Sequence, residues 1–179
     1  MLPFLPHAPK FDFQLSSVMS MTVDPHKMGM AAIPSGGILF REPAAWDALK
    51  IATPYLTDSF QQTFVGTRSG AAVASAWAVF RFLGVDGYTK IVNKCMRNTY
   101  ILSRGLEEAG FKLIAEPTLH IVAFQTPSGT KTLAKKLKRC GWFVSYVPRY
   151  DCIRVIVMPH VKRRHVNAFL AELKDIENL

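Results

Sequence analysis

The chain has 179 residues, 49% of them hydrophobic and 20% charged, a balance that fits a globular protein and excludes a disordered or fibrous one. Its 22 basic and 13 acidic residues leave a net charge of +9, and its three cysteines (Cys95, Cys140, Cys152) form no close pair. No run of about 18 apolar residues indicates a membrane span, and the odd cysteine count argues against a disulfide framework and for a reducing, cytoplasmic setting.

In chain order, Met1 to Lys10 lacks the charged start, apolar stretch and small-residue cleavage site of an export signal. Its Leu2-Pro3-Phe4-Leu5-Pro6 reads as the middle of a domain rather than a beginning. Ser17–Val23 predicts a strand stopped by Asp24-Pro25, because proline restricts its predecessor to extended backbone. Lys27 falls just beyond that stop. Ser35-Gly36-Gly37 is a turn signal, Ile38–Arg41 a short strand, and Glu42-Pro43 opens a short helix through Lys50. Thr53–Thr67 is polar, broken by Pro54 and Gly66, and reads as a long loop, which is more often functional than incidental.

From Arg68 to Leu83 the pattern is helical, with small residues at Gly70, Ala71, Ala72 and Ala74 permitting close packing. Gly84 ends that helix, Asp86 is a plausible N-cap for a second, and Gly110 stops the second after about Ala109. Phe111–Ala115, Leu119–Gln125, Trp142–Val147 and Cys152–Met158 then read as strands, with helices at Lys131–Cys140 and Arg163–Leu173. Two strands, helix, two strands, helix predicts an α+β layer on a mainly antiparallel sheet. A boundary is expected near residue 88, dividing 1–87 from 88–179. The first segment is too poor in paired strands to complete a sheet, so further sequence upstream is expected.

Residues 131–179 carry 11 basic and 4 acidic groups, concentrated in Lys131, Lys135, Lys136, Lys138, Arg139 and then Lys162, Arg163, Arg164. A nucleic-acid surface is one reading. Solvated helix faces, balanced by acidic residues elsewhere in a larger protein, are the preferred one, because no aromatic interleaving accompanies the charges. His120, His160 and His165 with Cys140 and Cys152 lack metal-ligand spacing, so no metal is expected.

The strongest candidate for chemistry is Asp24-Pro25-His26-Lys27. A lysine at the carboxyl end of a strand sits where open α/β sheets place ligands, and partial burial would free its amine for imine formation. A His-Lys pair in a loop is otherwise more often solvated surface. Gly66-Thr67-Arg68-Ser69-Gly70 precedes a helix, so its amides could bind an anion, or it is ordinary helix entry with Arg68 exposed. Arg154 could meet a substrate carboxylate in planar two-bonded geometry or serve as an internal ion-pair partner.

Thr22-Val23-Asp24-Pro25-His26-Lys27-Met28-Gly29 followed by Ile33-Pro34-Ser35-Gly36-Gly37-Ile38-Leu39-Phe40-Arg41 closely resembles the cofactor-lysine segment of group II pyridoxal-phosphate-dependent amino-acid decarboxylases. The nearest branch is the archaeal L-tyrosine/L-aspartate decarboxylases. The resemblance continues through Thr53–Thr57 and Gly66–Ala72 to Ile153–His160, and so spans nearly the whole chain. It implies an α/β fold of the aspartate-aminotransferase-like type (fold type I). Residues 1–87 would be the carboxy-terminal part of the large cofactor domain and 88–179 the small α+β domain.

The resemblance further implies that Lys27 is the Schiff-base lysine for pyridoxal phosphate and that His26 contacts the cofactor near its phosphate. Tyr55, 28 residues past Lys27, would protonate the carbanion left by carbon dioxide, usually across a dimer interface. The Gly66–Gly70 segment with Thr67 would approach the cofactor phosphate of the partner subunit, and Arg68, with Arg154, would be a candidate for binding substrate. The implied reaction is decarboxylation of an L-amino acid (tyrosine, aspartate or glutamate) to its amine. In the family, the aspartate under the pyridine nitrogen, a ring-stacking histidine and the main phosphate ligands lie upstream of such a segment. The chain is therefore expected to be a fragment or one piece of a split enzyme, working as a homodimer or with a chain supplying the amino-terminal half. A noncatalytic assembly or binding subunit derived from such an enzyme is the alternative.

Overall fold

The computed structural model describes residues 1–57 and 59–177, which form two compact units. One unit holds Leu2 and Pro6–Gly87; the other holds Met1, Pro3–Leu5 and the chain from Tyr88 onward.

In the amino-terminal unit, β1 (Ser20–Val23) pairs antiparallel with β2 (Gly37–Phe40), Met21 opposite Leu39 and Thr22 opposite Ile38. Thr22 and Val23 favour the extended backbone, and β1 stops at Asp24 because Pro25 has no N–H to donate. Arg41 ties the preceding chain to the end of β2: its guanidinium donates to the carbonyls of Phe13 (2.9 Å), Leu15 (2.6 Å) and Val18 (2.9 Å), and lies over the Phe13 ring. α1 (Pro43–Asp47) opens with proline in its first turn, where a missing N–H costs nothing. It ends short of the expected Lys50, closing through turns.

The stretch expected to be one irregular loop from Thr53 is instead spanned by a hairpin. β3 (Ile51–Ala52) pairs with β4 (Phe60–Gln61), and Thr53 N–H donates to Ser59 O at 2.9 Å. Strands of two residues are too short for alternation to register in the sequence.

α2 (Gly70–Glu108) is helical on both sides of Gly84, whose φ of 55° and ψ of −167° break the run. The expected stop at Gly84 is a kink between two helices, and Asp86, expected to cap the second, lies just inside its start. Gly110, at φ 84°, ends α2 while Phe111 N–H returns to Leu106 O at 2.9 Å.

In the carboxy-terminal unit, β5 (Lys112–Leu113), β6 (Ile121–Gln125), β7 (Ser145–Val147) and β8 (Cys152–Ile156) form an antiparallel sheet in the order β5-β6-β8-β7. α3 (Thr130–Arg139) and α4 (Arg163–Glu177) are its helices. β7 begins later than the expected Trp142, because the Trp142 ring leaves the ladder to pack edge-on against Phe169, 5.1 Å between centroids.

The core gathers Leu102 and Leu106 of α2, Val122 and Phe124 of β6, Leu133 and Leu137 of α3, Ile153 of β8, and Val166, Phe169 and Leu173 of α4. β6 alternates, burying Val122 and Phe124 and leaving Ile121 exposed. Each such side chain contributes about 1.5–3 kcal/mol on burial. Gly105 is required where α2 meets α4: a Cβ there would stand 2.4 Å from Leu170 Cδ1. In the amino-terminal unit, by contrast, the buried hydrophobic residues among those described are Ala31 and Ala72.

Candidate functional site

Lys27 lies four residues past the end of β1, in a turn closed on itself. Its N–H donates to Asp24 O at 3.0 Å, Met30 N–H donates to Lys27 O at 3.0 Å, and Ala31 N–H donates to Pro25 O at 3.0 Å. Gly29 is needed for this closure. A Cβ at that position would stand 2.6 Å from Pro25 O and 2.8 Å from Pro25 Cα, both backbone atoms that cannot swing aside. The turn then passes through Met30 at φ 56°, a left-handed conformation costing a side-chain-bearing residue about 1 kcal/mol or more.

The next stretch holds the turn in place. Ser35, itself buried, offers one carbonyl to both the His26 N–H (3.4 Å) and His26 Nδ1. A carbonyl only accepts, so Nδ1 carries the proton and Nε2 is the nitrogen left to act elsewhere. Ala32 N–H donates to Ser75 Oγ of α2 at 2.9 Å, which ties the turn to the helix.

The Lys27 side chain is 65% exposed, and its Nζ stands 2.6 Å from Asp24 Oδ2. The Lys27 ammonium bonded to it holds the Asp24 carboxyl below the usual range, with His26 adding a smaller effect in the same direction and desolvation opposing both. Lys27 therefore faces open space, while His26 is half-buried with its ring against Ser35 O.

Sequence reasoning singled out His26 and Lys27, and both lie in this turn with Asp24 and Ser35. It placed Asp24 in the candidate string but gave it no role beyond a strand stop, and it read Ser35 only as part of a glycine turn. The signal for Asp24 was its i,i+3 spacing from Lys27, which favours an ion pair in any turn of helical pitch. Nothing in the sequence marked the Ser35 carbonyl.

Tyr55 occupies the tip of the β3–β4 hairpin, 76% exposed. Thr67 and Arg68 lie exposed in the approach to α2, just after Gly66 at φ 69°. No hydrogen bond or ion pair among the described residues joins Tyr55, Thr67 or Arg68 to Lys27. Arg154 belongs to the other unit, on β8 opposite Ala123 and Ser145. It borders a hollow of about 410 Å³ walled by Leu102, Trp142, Val155 and Phe169, with His165 also at its lining.

A carbonyl-bearing cofactor requires a primary amine with room in front of it, and Lys27 meets that requirement. Asp24 is engaged by Lys27, which leaves it unsuited to stand under a ring nitrogen. The turn thus fits the attachment end of pyridoxal phosphate. His26 Nε2 is a candidate for its anionic end. Among the described residues no group of three or more His, Cys, Asp or Glu side chains could hold a metal ion.

The sequence pattern of the pyridoxal-dependent decarboxylase conserved domain matches residues 1–127. The chain is 46% identical over 180 residues to a probable L-tyrosine/L-aspartate decarboxylase of Methanothermobacter thermautotrophicus, covering 98% of this chain and 50% of the relative. It is 45% identical over 168 residues to a protein of the same description from Methanococcus aeolicus, covering 94% and 43%. A probable L-aspartate decarboxylase of Archaeoglobus fulgidus is 41% identical over 175 residues, covering 98% and 47%. The chain thus spans about half the length of these curated relatives. Among solved structures it is similar to the sphingosine-1-phosphate lyase of Burkholderia pseudomallei, with a TM-score of 0.88 at 21% identity over 99% of this chain and 42% of that one. It is also similar to the glutamate decarboxylase of Lactobacillus brevis, with a TM-score of 0.82 at 22% identity over 98% and 44%.

Proposed function

Because the chain belongs to the pyridoxal-dependent decarboxylase family and has its aspartate-aminotransferase-like α/β fold of type I, we propose that it supplies the cofactor-anchoring half of an L-amino-acid decarboxylase. The observation that carries this reading is the Lys27 turn: an amine at the carboxyl end of a strand, locked by backbone bonds and 65% exposed. The substrate class is tyrosine, aspartate or glutamate, and the products are the amine and carbon dioxide.

When bound, pyridoxal phosphate supplies a conjugated ring that takes up the electron pair left by the departing carboxylate. Lys27 presents the amine that holds the cofactor. His26, its Nδ1 spent on Ser35, has Nε2 available toward the phosphate. Tyr55 carries a phenol on the hairpin tip and is the proposed donor of the proton that replaces the carboxylate. Thr67 and Arg68, ahead of the first turn of α2, are the proposed contacts for an anion, with Arg154 a further candidate for a substrate carboxylate.

The working unit is proposed to be a homodimer or a complex with a chain that supplies the upstream half. Support comes from the wide exposure of Lys27 and from the lack, among the described residues, of large buried hydrophobic side chains in the unit that carries it. The same exposure favours a second reading, a noncatalytic assembly subunit retaining the turn. No helix among the described residues is long and apolar enough to cross a membrane, and the three cysteines are unpaired, so a cytoplasmic setting is proposed.

The test mixes the chain with pyridoxal phosphate, reduces the adduct with borohydride and maps the labelled peptide. The expected result is a visible absorption band and a mass increment on Lys27. A band that persists unchanged in Lys27→Ala refutes the assignment. Carbon dioxide release on adding an upstream chain separates the enzymatic reading from the assembly reading.

A further inference from the structure

Asp24 holds Lys27 twice. Its carbonyl accepts the Lys27 N–H at 3.0 Å, and its Oδ2 meets Lys27 Nζ at 2.6 Å. Pro25 restricts the backbone between them, and the absence of a side chain at Gly29 lets the turn close tightly on Pro25. The His26 ring is drawn to Ser35 O. Among the described residues, the Asp24 carboxylate is the one side-chain partner of the Lys27 amine, and the charged or titratable groups acting on Asp24 are Lys27 and His26.

We propose that Asp24 is a positioning residue that holds the Lys27 side chain at the mouth of the turn, so that the amine reacts more slowly while this pair is made. The proposal rests on the reading of Lys27 as the reactive amine. While Nζ is bonded to Asp24 Oδ2 at 2.6 Å, that pair must part before the nitrogen can reach a carbonyl carbon. Both side chains are solvated, so the restraint is small and reversible, as expected for an exposed pair. A carbonyl partner can therefore displace Asp24.

The probe is acetylation of the full chain at neutral pH by N-hydroxysuccinimidyl acetate, without cofactor, read by peptide mass mapping. The amine lone pair attacks the acyl carbon, N-hydroxysuccinimide leaves with its bonding electrons, and the nitrogen proton passes to buffer. Asp24→Asn keeps the side-chain shape and removes the charge. Lys27 in this variant is expected to acetylate about two- to fivefold faster, the factor that corresponds to an exposed ion pair. Lys50, paired with Asp47, serves as the internal control and should be unmoved. Asp24→Glu should restore the slow rate. Added salt should accelerate Lys27 in the unmutated chain but not in Asp24→Asn, because solvent ions screen the pair. An equal or slower Lys27 rate in Asp24→Asn overturns the proposal, and so does an acceleration shared by Lys50. Loss of the Lys27 assignment itself would be read separately, as a pyridoxal phosphate band that survives Lys27→Ala.

Discussion

At the scale of single residues, the turn around Lys27 depends more on a glycine than on its charged members. Gly29→Ala places a methyl against the backbone of Pro25, so the turn must open to accept it. The expected cost is about 1–3 kcal/mol, in the range of overpacked sites. Because the strain is confined to the amino-terminal unit, formation of the Lys27 adduct should weaken sharply while hydrogen-exchange protection of β6 and β8 stays unchanged.

His120 gives the carboxy-terminal unit a pH dependence of its own. The residue is buried, and its Nδ1 has no hydrogen-bond partner among the described residues. Burial, assisted by the positive Met1 amine, holds its pKa below 6.5. The unfolded chain therefore takes up a proton at that site before the folded one does. Stability from this group is complete above pH 6.5 and is lost as the pH falls from there toward the folded value. His120→Asn should flatten the fall in melting temperature over that window, measured by circular dichroism.

At the scale of elements, the two units differ in what their helices and strands have to pack against. In the first part of α2, Val73 (69% exposed), Trp77 (67%) and Phe80 (43%) recur at helical spacing as exposed apolar side chains. In the last part of the same helix, Leu102 and Leu106 are fully enclosed. Amide exchange should follow this difference, slowest in β6, β8 and the Leu102–Leu106 turns and fastest across β3 and β4. Protection of β3 and β4 equal to that of β6 would contradict it.

These elements also divide what the sequence makes legible from what it hides. β6 announces itself as a short run rich in β-branched and aromatic residues, Ile121, Val122 and Phe124, and α3 because Leu133 and Leu137 sit four apart among lysines. β3 and β4 are invisible, since two residues carry no period and their pairing is set by Thr53 and Ser59 closing the loop. Gly84 reads correctly as the point where one helix ends and the next begins. At the site, His26 and Lys27 are legible through their motif. The Ser35 carbonyl is not, because any residue type provides a carbonyl and only the fold says where it points.

At the scale of the whole molecule, the chain has about half the length of its curated relatives and a full core in one of its two units. An upstream chain that completes the amino-terminal unit should therefore cover Val73, Trp77 and Phe80, and covering them should shift the Trp77 fluorescence to the blue. Adding that chain to Trp77→Phe isolates the signal, because Trp46 and Trp142 remain as the background. With it bound, Tyr55→Phe should lower carbon dioxide release by about 10²-fold or more, the usual contribution of a positioned acid. Lys27 labelling should be unaffected in the same variant.

The bonds that close the turn around Lys27 on itself span nine residues or fewer, from Asp24 to Ser35. Closing so short a loop costs little entropy and takes well under a microsecond. During synthesis Lys27 can thus acquire its orientation while the carboxy-terminal unit is still unmade, and only the tie from Ala32 to Ser75 must wait for α2.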